Sequence, residues 1–294
     1  MPARPQRDNG RMKLITWNIQ WGRGLDGKVD LARIVSHARS MADFDVLNLQ
    51  EVADNFPALD GNDDANQFAQ LAALLPGFTA IAGYGVDLDG PGRRRRFGNV
   101  MLTRLPVVAI RRHLLPWPAD PGKESTPRAA VEATLRLPLG PVRFTTTHLE
   151  YYSPLQRGAQ AARLRELHDE ACDRAARPGH PTAEGGPFDL TAQTASAILT
   201  GDFNLPPQDP AYDDIQRTLA SGGPAYRDAW AIANGRRAHD PTFCVHDQRY
   251  AKEPYCCDFI FVSEDLAPRV RSVSVDVDTR VSDHQPVLMS FDDR

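Results

Sequence analysis

The sequence predicts an α+β fold in which two sheets pack face to face and helices cover their outer faces. Short β-rich runs recur from residue 12 to residue 291, whereas only three longer stretches have helical spacing. We find neither an internal repeat nor an interdomain linker. Many strands with few helices are typical of layered packing around two sheets. We therefore expect one domain over residues 12–294 and a flexible, polar N-terminal arm at residues 1–11.

The predicted strands are short runs of apolar or β-branched residues that end at turn-forming residues. Residues 46–49 are nearly all apolar, which indicates a strand buried on both faces. Pro106, Pro138 and Gly140 separate several runs in the middle of the chain. The predicted strands cover residues 12–17, 46–49, 100–102, 107–110, 129–137, 142–147, 198–199, 259–262, 270–277 and 287–291.

Three stretches have apolar residues at helical spacing. Residues 29–40 and 66–75 are the shorter two, and the second of them ends at a Pro-Gly pair. Residues 155–176 form the longest candidate, in which Leu164 and Leu167 lie on one face and Arg and Glu residues lie on the other. The Pro- and Gly-rich segment 177–189 that follows is predicted to be a loop.

The composition is that of an ordinary globular protein. The chain has 294 residues, of which 41% are hydrophobic and 24% charged, and no apolar run reaches the roughly 18 residues of a membrane span. The N-terminus lacks the apolar core of a signal peptide, so we expect a cytoplasmic protein. The net charge of −4 argues mildly against a protein that coats nucleic acid non-specifically, but it allows a phosphate substrate.

The four cysteines raise the question of a zinc site. They lack the paired CxxC spacing of a strong zinc motif, and no secretion signal accompanies them to favour disulfides. We therefore expect buried thiols, with structural zinc as a weaker alternative. The cysteines and the histidines near three of them are Cys172, Cys244, Cys256, Cys257, His239 and His246.

Polar residues stand at the ends of several predicted strands, where folds of this kind place reactive groups. Carboxylate and amide oxygens are the ligands that hard divalent cations prefer. Histidines serve as bases or donors in phosphoester hydrolysis, and another carboxylate, Asp258, could orient one of them. No Ser or Cys lies in a nucleophile-elbow pattern, so water is the simpler nucleophile. The oxygen donors are Asn18, Glu51, Asp202, Asn204 and Asp283, and the histidines are His148 and His284.

Seven segments, taken in order, resemble the motif set of the endonuclease/exonuclease/phosphatase superfamily. Each residue alone has a structural explanation, such as an Asx turn or a strand-edge acid, but these explanations would all have to hold together. The resemblance covers about residues 12–291. The segments are TWNI at 16–19, LQE at 49–51, GNVML at 98–102, THL at 147–149, GDFN at 201–204, CDFIF at 257–261 and SDHQPV at 282–287.

The resemblance implies a DNase I-like four-layer αββα sandwich, with two mixed, mainly antiparallel sheets and the site at one edge. It implies a Mg²⁺ or Mn²⁺ cofactor held mainly by Glu51 with help from Asn18 and Asp283. Asp202 and Asn204 would position the attacking water and the scissile phosphate.

The resemblance also implies roles for the histidines and for the phosphate contacts. His284, oriented by Asp258, would be a base or a transition-state stabiliser, and the motif leaves open whether it or Asp202 takes the proton of the water. His148 would donate a proton or a hydrogen bond to the phosphate. Asn99 would bind a phosphoryl oxygen, and Arg128 could reach the site, although a structural role at the strand edge is slightly favoured for this arginine.

Two departures from the family pattern bear on the substrate. Gln20 stands where some nucleases of this group carry an acid, which removes one possible metal ligand. Tyr255-Cys256-Cys257 differs from the run that marks the abasic-site endonucleases.

Residues 93–96, four consecutive arginines, could grip phosphate or form a solvated loop. Tyr151 and Tyr152 could stack on a base, although packing is favoured.

The predicted activity is therefore metal-dependent hydrolysis of a phosphoester. A nuclease-like phosphodiesterase acting on DNA or RNA is slightly favoured, and a phosphatase or phosphodiesterase for a small phosphoester or a lipid headgroup is the alternative. A non-catalytic module or a zinc-structured interaction protein is more remote. The sequence identifies no protein partner and predicts no membrane span.

Overall fold

The computed structural model describes residues 10–179 and 193–294. Within them, twelve strands form two sheets of six strands each. The strands of the first sheet are β1 (Arg11–Asn18), β2 (Val46–Asp54), β3 (Thr79–Leu88), β4 (Arg95–Thr103), β11 (Val270–Val275) and β12 (Val287–Asp292). The strands of the second sheet are β5 (Val107–Leu114), β6 (Ala129–Leu137), β7 (Gly140–His148), β8 (Ala197–Asp202), β9 (Tyr226–Asp228) and β10 (Asp258–Ser263).

Both sheets are mixed and mainly antiparallel, as the resemblance implies. The first has the order β11-β12-β1-β2-β4-β3 and the second the order β5-β6-β7-β8-β10-β9. One pair in each sheet is parallel: β1 with β2, and β7 with β8. Parallel neighbours end at the same edge of a sheet, so each of these pairs brings two strand ends together.

Helices lie outside the two sheets, which confirms the four-layer αββα sandwich. They are α1 (Leu31–Met41), α2 (Gln67–Leu74), α3 (Pro154–Ala176), α4 (Pro210–Ile215) and α5 (Ala229–Asn234). The three longer helices each begin after a side chain that accepts a hydrogen bond from the backbone of the first turn. These N-cap residues are Asp30, Asn66 and Ser153.

Apolar side chains fill the space between the sheets and the spaces under the helices. Met101, Val131 and Phe144 belong to the cluster between the sheets. Strand β7 is buried on both faces from Val142 to His148, and its buried residues include polar ones such as Arg143 and Thr145. Two further clusters, one under α1 and α2 and one that includes residues of α3, complete the core.

Most predicted elements are present, and their ends differ by a few residues. Strand β3 and the short elements β9, α4 and α5 were not predicted. In β3, Gly83 and Gly85 interrupt the alternation of side chains on which strand prediction depends. Glycine is needed there because a Cβ at Gly85 would lie 2.4 Å from the carbonyl oxygen of Pro127.

The predicted arm and loop lie largely outside the described residues. Of the predicted arm at 1–11, residues 1–9 lie outside them, and Arg11 already belongs to β1. Of the loop predicted at 177–189, residues 180–189 lie outside them. Among the residues that are described, no helix is long and apolar enough to cross a membrane.

Candidate active site

The polar strand ends converge at one edge of the sandwich. Asn18 ends β1, and Asp202 ends β8 of the opposite sheet. The side-chain amide of Asn18 donates a hydrogen bond of 2.9 Å to Oδ2 of Asp202. This contact links the two sheets through residues 184 positions apart in the chain. The remaining predicted residues lie around it, on β2, on β7, on β10 and in the loop before β12.

The side-chain amide nitrogen of Asn18 contacts two of the candidate carboxylates. Its Nδ2 donates both to Asp202 and to Oε1 of Glu51, the latter at 3.0 Å. Its Oδ1, the atom that would coordinate a metal, accepts the backbone N–H of Gln20 at 3.1 Å. In this arrangement Asn18 therefore holds two carboxylates in place, and its oxygen faces away from them.

Glu51 occupies an irregular position in β2. The pairing of β2 with β4 shifts between Leu49 and Val52, and Glu51 has a φ of 59°. A non-glycine residue in the left-handed region costs of order 1 kcal/mol, and such residues concentrate at functional sites. The irregularity leaves 20% of the Glu51 side chain exposed in the cleft. Burial raises the pKa of Glu51, and the hydrogen bond from Asn18 opposes that effect.

Asp283 supplies a third carboxylate. Gln20 donates a hydrogen bond of 2.7 Å to its Oδ2, and Ser282 one of 3.3 Å to its Oδ1. Burial raises the pKa of Asp283 to about 6, with Glu51 adding to the effect. Gln20 stands where some nucleases of this group carry an acidic residue. Instead of offering a carboxylate itself, it holds the carboxylate of Asp283 in position. The sequence did not predict this contact, because it joins residues 263 positions apart.

Asp202 lies between the two candidate histidines. Its Oδ1 accepts the backbone N–H of Asn204 at 2.9 Å. Its Oδ2 lies 3.4 Å from Nε2 of His148 and 3.7 Å from Nε2 of His284. Burial raises the pKa of Asp202 to about 6, and the nearby charge of Asp258 acts in the same direction.

His284 contacts the carboxylate that the resemblance assigned to it. Its Nδ1 lies 2.9 Å from Oδ2 of Asp258, and its ring stacks on Phe243 with centroids 4.3 Å apart. Burial acts to lower the pKa of His284, but the carboxylates of Asp258 and Asp202 outweigh it and hold the pKa well above its usual value. The two carboxylates therefore favour the protonated form of this imidazole.

The pKa of His148 is shifted in the opposite direction to that of His284. A guanidinium N–H of Arg128 donates to its Nδ1 at 3.1 Å, so the ring proton lies on Nε2, on the side of Asp202. Nδ2 of Asn204 lies 2.9 Å from the same Nε2 and donates to the carbonyl oxygen of Leu149 at 2.9 Å. Burial lowers the pKa of His148 well below its usual value, and the charges of Arg128 and His284 reinforce this. His148 is thus a neutral hydrogen-bond donor.

Arg128 and Asn99 differ in how closely they approach the cleft. Arg128 lines it and is held by Glu150, whose Oε2 lies 3.2 Å from its Nε. Asn99 is only 2% exposed and donates its side-chain N–H to the carbonyl oxygen of Ala129 at 2.9 Å. It borders a small gap behind Arg128 and His148 instead of the main cleft. Asn99 thereby links β4 to the start of β6, and its contact with a phosphoryl oxygen stays a prediction.

Two groups of side chains could hold a metal ion. One consists of Asp202, Cys257, Asp258 and His284, whose ligand atoms lie within 4.8 Å of one another and are all buried. Its thiol is a soft ligand, and Asp258 already binds His284. The carboxylates of Glu51, Asp202 and Asp283 line the open cleft and suit a hard cation better. All three have raised pKa values, which a bound cation would reverse.

The cysteines are free thiols, as predicted. All four are buried, and burial raises the pKa of Cys256 and of Cys257 well above the usual value. Nε2 of His246 lies 2.8 Å from the carbonyl oxygen of Val277. In the described parts of the chain, the proposed zinc ligands do not come together as one group.

The cleft above the carboxylates has a volume of about 350 Å³, within the range of small-molecule sites. Aromatic rings form much of its wall, a feature that the sequence indicated only through the pair of tyrosines after β7. Four of the six non-glycine residues with positive φ in the described chain also line it. The aromatic lining residues are Trp21, Phe97, Tyr151, Tyr152, Phe243 and Tyr250.

The four-arginine run spans the beginning of β4, and three of its four arginines pair with acidic side chains. Arg93 bonds Asp54, and Arg94 donates to Oδ1 of Asp87 at 2.8 Å. Arg96 lies 3.5 Å from the same carboxylate of Asp87. Of the two interpretations of this run, the structure therefore supports neither a free phosphate grip nor an unpaired solvated loop.

Comparisons with known proteins agree with this fold. The model of the endonuclease/exonuclease/phosphatase family matches residues 15–284. A crystal structure of an endonuclease/exonuclease/phosphatase from Beutenbergia cavernae DSM 12333 is 23% identical, with a TM-score of 0.67 over 97% of this chain and 72% of that one. No curated protein is significantly similar to the chain.

Two further structures have printed names that describe them more closely. A mannosyl-6-phosphatase from Bacteroides thetaiotaomicron VPI-5482 is 21% identical, with a TM-score of 0.64 over 95% of this chain and 98% of that one. The catalytic domain of human Nocturnin with bound sulfate is 17% identical, with a TM-score of 0.63 over 96% and 93% of the two chains. At these identities the similarity shows the fold.

Proposed function

The chain belongs to the endonuclease/exonuclease/phosphatase family, and from this premise we propose that it is a divalent-metal-dependent hydrolase of phosphoesters that uses water as the nucleophile. One observation carries the proposal. Glu51, Asp202 and Asp283 line one cleft together with His148 and His284. Three carboxylates and two histidines facing one cavity are what in-line attack of water on a phosphate requires.

Asp202 and His284 are proposed to handle the attacking water. Both line the cleft, and Oδ2 of Asp202 lies 3.7 Å from Nε2 of His284. A water between them would be oriented by both groups and would lose its proton to Asp202, because the raised pKa of His284 favours the protonated imidazole, which can only donate. Asp258 and the ring of Phe243 fix the plane of the imidazole.

His148 and Arg128 are proposed to bind the phosphate on the other side of Asp202. Nε2 of His148 carries the proton and faces the cleft, so it can donate to a phosphoryl oxygen. Arg128 holds this tautomer through Nδ1 and brings positive charge to the cleft wall. Asn204, next to His148, completes this side of the site.

Glu51 and Asp283 are proposed to hold Mg²⁺ or Mn²⁺, with Asn18 and Gln20 fixing their orientation. The ion would supply Lewis-acid polarisation of the phosphate when bound. The donor set is composed of hard oxygens, and neither carboxylate forms an ion pair with Lys or Arg in the described structure.

The contacts of the four arginines and the size of the cleft bear on the choice between two substrate classes, nucleic acid and a small phosphoester or lipid headgroup. A nuclease-like phosphodiesterase was favoured partly by the four arginines of residues 93–96. Two acidic side chains, Asp54 and Asp87, pair with three of them, which weakens that argument. The alternative, a small phosphoester, suits the size of the cleft, and a mannosyl-6-phosphatase is among the proteins with a similar fold.

Hydrolysis assays with added Mg²⁺, Mn²⁺ or EDTA test the proposal. The panel contains bis-p-nitrophenyl phosphate, p-nitrophenyl phosphate, duplex and single-stranded DNA, and a sphingomyelin-type lipid. Metal-dependent cleavage of any of these, abolished in Asp202→Ala, supports the proposed reaction. Cleavage that persists in EDTA, or in that variant, contradicts it. The substrates cleaved then separate a nuclease from an enzyme for small esters or lipids.

A further inference from the structure

Four aromatic residues form a connected wall on one side of the cleft. We call Tyr151, Tyr152, Phe243 and Tyr250 the tyrosine wall. The rings of Tyr151 and Tyr152 meet edge to face with centroids 4.9 Å apart. The hydroxyl of Tyr151 donates to the carbonyl oxygen of Tyr250 at 3.4 Å. Tyr250 and Phe243 are stacked at an interplanar angle of 25°.

The wall extends from the cleft rim to the reactive groups. Phe243 is buried and stacks on His284 with an interplanar angle of 29°. Tyr152 and Tyr250, in contrast, are 50% and 46% exposed although both line the cleft. A flat ring placed against them would therefore cover exposed aromatic surface next to the site of hydrolysis.

The charges around the cleft do not suit a long polyanion. Arg128 is the one Lys or Arg side chain among the described residues that line it, beside the imidazoles of His148 and His284, and Glu150 pairs with this arginine. Near the rim, Arg23 pairs with Asp60 at 2.7 Å and Arg249 with a neighbouring aspartate. Duplex nucleic acid is bound mainly through cations that contact several phosphates along the backbone. The described surface of the cleft offers one phosphate position flanked by aromatic rings.

We infer that the cleft takes a small phosphoester that carries a planar aromatic ring close to the scissile phosphate, with the ring stacked on Tyr152 and Tyr250. This inference rests on the proposed function for the position of the phosphate. The ring can belong to a nucleoside or to a simpler aryl group, since both present the same flat apolar face. The ester is small because the cleft encloses about 350 Å³.

Binding of non-hydrolysable phosphonates tests the inference without depending on catalysis. Benzylphosphonate and cyclohexylmethylphosphonate have similar size and charge, but only the first is flat and aromatic. Calorimetric titration of the intact protein with Mg²⁺ present should give at least about fivefold tighter binding of benzylphosphonate, the lower end of what aromatic stacking contributes. Equal affinities, or no binding of either compound, would overturn the inference.

Substitutions of the two exposed tyrosines test whether these side chains cause the preference for the aromatic phosphonate. Tyr152→Ala and Tyr250→Ala should each bring the ratio of the two affinities towards one. Trp117→Ala is the matched control, because Trp117 is also a half-exposed aromatic residue, 52% exposed, but does not line the cleft. This control should leave the ratio unchanged. A ratio that survives both tyrosine substitutions contradicts the assignment to the tyrosine wall.

A second pair of ligands separates the two sources of the ring. If adenosine 5′-monophosphate binds more tightly than ribose 5-phosphate, the substrate is a nucleotide. If only benzylphosphonate is preferred over its cyclohexyl counterpart, the substrate is a smaller aryl ester. Duplex DNA cleaved with a higher kcat/KM than every small ester would overturn the inference. Ring-selective binding without hydrolysis of any phosphoester would refute the proposed function alone. Hydrolysis without ring selectivity would refute this inference alone.

Discussion

Two buried histidines, His284 and His168, have pKa values that are shifted in opposite directions. His284 lies at the open edge beside Asp258, and its pKa is well above the usual value. His168 lies on the buried face of α3, with Nδ1 2.6 Å from a guanidinium nitrogen of Arg143 and Nε2 2.8 Å from the carbonyl oxygen of Pro224. Burial lowers the pKa of His168 to about 4, and the charge of Arg143 contributes.

The difference shows that burial alone does not decide the protonation state of a histidine. Both rings stack on an aromatic neighbour, His284 on Phe243 and His168 on Tyr226. Only the charge of the polar partner differs between them, carboxylate in one case and guanidinium in the other. A buried histidine beside carboxylates is available for chemistry, whereas one beside an arginine contributes to packing.

The largest expected effect is the loss of activity in His284→Ala or Asp202→Ala. Each should lower kcat by about 10³-fold or more, because each removes a group that faces the attacking water. His168→Gln is the control, since it lies outside the cleft and should retain near-wild-type kcat. Steady-state kinetics with Mg²⁺ would measure this, with circular dichroism to verify folding. Wild-type rates in both cleft variants would refute the site.

The protonation of His168 should make the stability of the protein depend on pH. Its pKa of about 4 in the folded state lies below the 6.5 of an unperturbed histidine, so the unfolded chain binds the proton more readily. The contribution of His168 to the stability is therefore fully present above pH 6.5 and falls by about 3 kcal/mol as the pH decreases from 6.5 to 4. Urea unfolding across this range would measure the loss.

His168→Gln isolates the contribution of that histidine. Glutamine can still bond Arg143 and the Pro224 carbonyl, but it does not titrate. The difference in unfolding free energy between wild type and variant should narrow as the pH decreases from 6.5 to 4. A difference that stays constant over this range would show that His168 is not the titrating group.

Glu51 offers a test of the open edge as a metal site. Millimolar Mg²⁺ or Mn²⁺ should raise the Tm of the wild-type protein, because an ion that binds only the folded state stabilises it. Glu51→Gln should weaken this effect and raise the metal concentration needed for half-maximal activity by about tenfold or more. Glu166→Gln, an exposed glutamate on α3, is the control. An unchanged metal titration in Glu51→Gln would remove Glu51 from the proposed ligands.

The smallest expected effect comes from the ring stacked on His284. Phe243→Leu keeps an apolar side chain but loses the stacking contact, so kcat should fall by roughly 3- to 10-fold through poorer positioning. KM should change little, and Phe243→Tyr should restore most of the rate. A fall in Tm with unchanged kcat would instead mean that Phe243 acts only in packing.

Much of the fold was predictable because its signals are local. The apolar runs of β1, β6 and β12 and the N-capped helices α1 and α3 are visible in continuous stretches of chain, from 6 residues in β12 to 23 residues in α3. Strand β3 was not predicted because its glycines are required by the approach of a distant backbone, at Pro127. The length of β2 beyond Leu49 was also missed, since the irregularity at Glu51 interrupts its pattern.

The identity of the candidate site residues came from the sequence, but their orientation did not. The ordered motifs named Glu51, His148, Asp202, Asp258 and His284, and the structure brings these side chains together. Only the tertiary structure turned the nitrogen of Asn18 towards two carboxylates and directed Asn99 to a backbone carbonyl. Which atom of an amide faces a site depends on partners from other strands, and local sequence does not specify them.

What the sequence determined by itself was the family, the layered architecture and the chemical inventory of the cleft. The tertiary structure decided the pairing of the arginines with Asp54 and Asp87, the tyrosine wall and the opposite states of His284 and His168. The physical reason is distance along the chain. Periodicity and motifs arise from neighbours in sequence, whereas charge, stacking and hydrogen bonding at this site join residues such as Asn18 and Asp202, which are 184 positions apart.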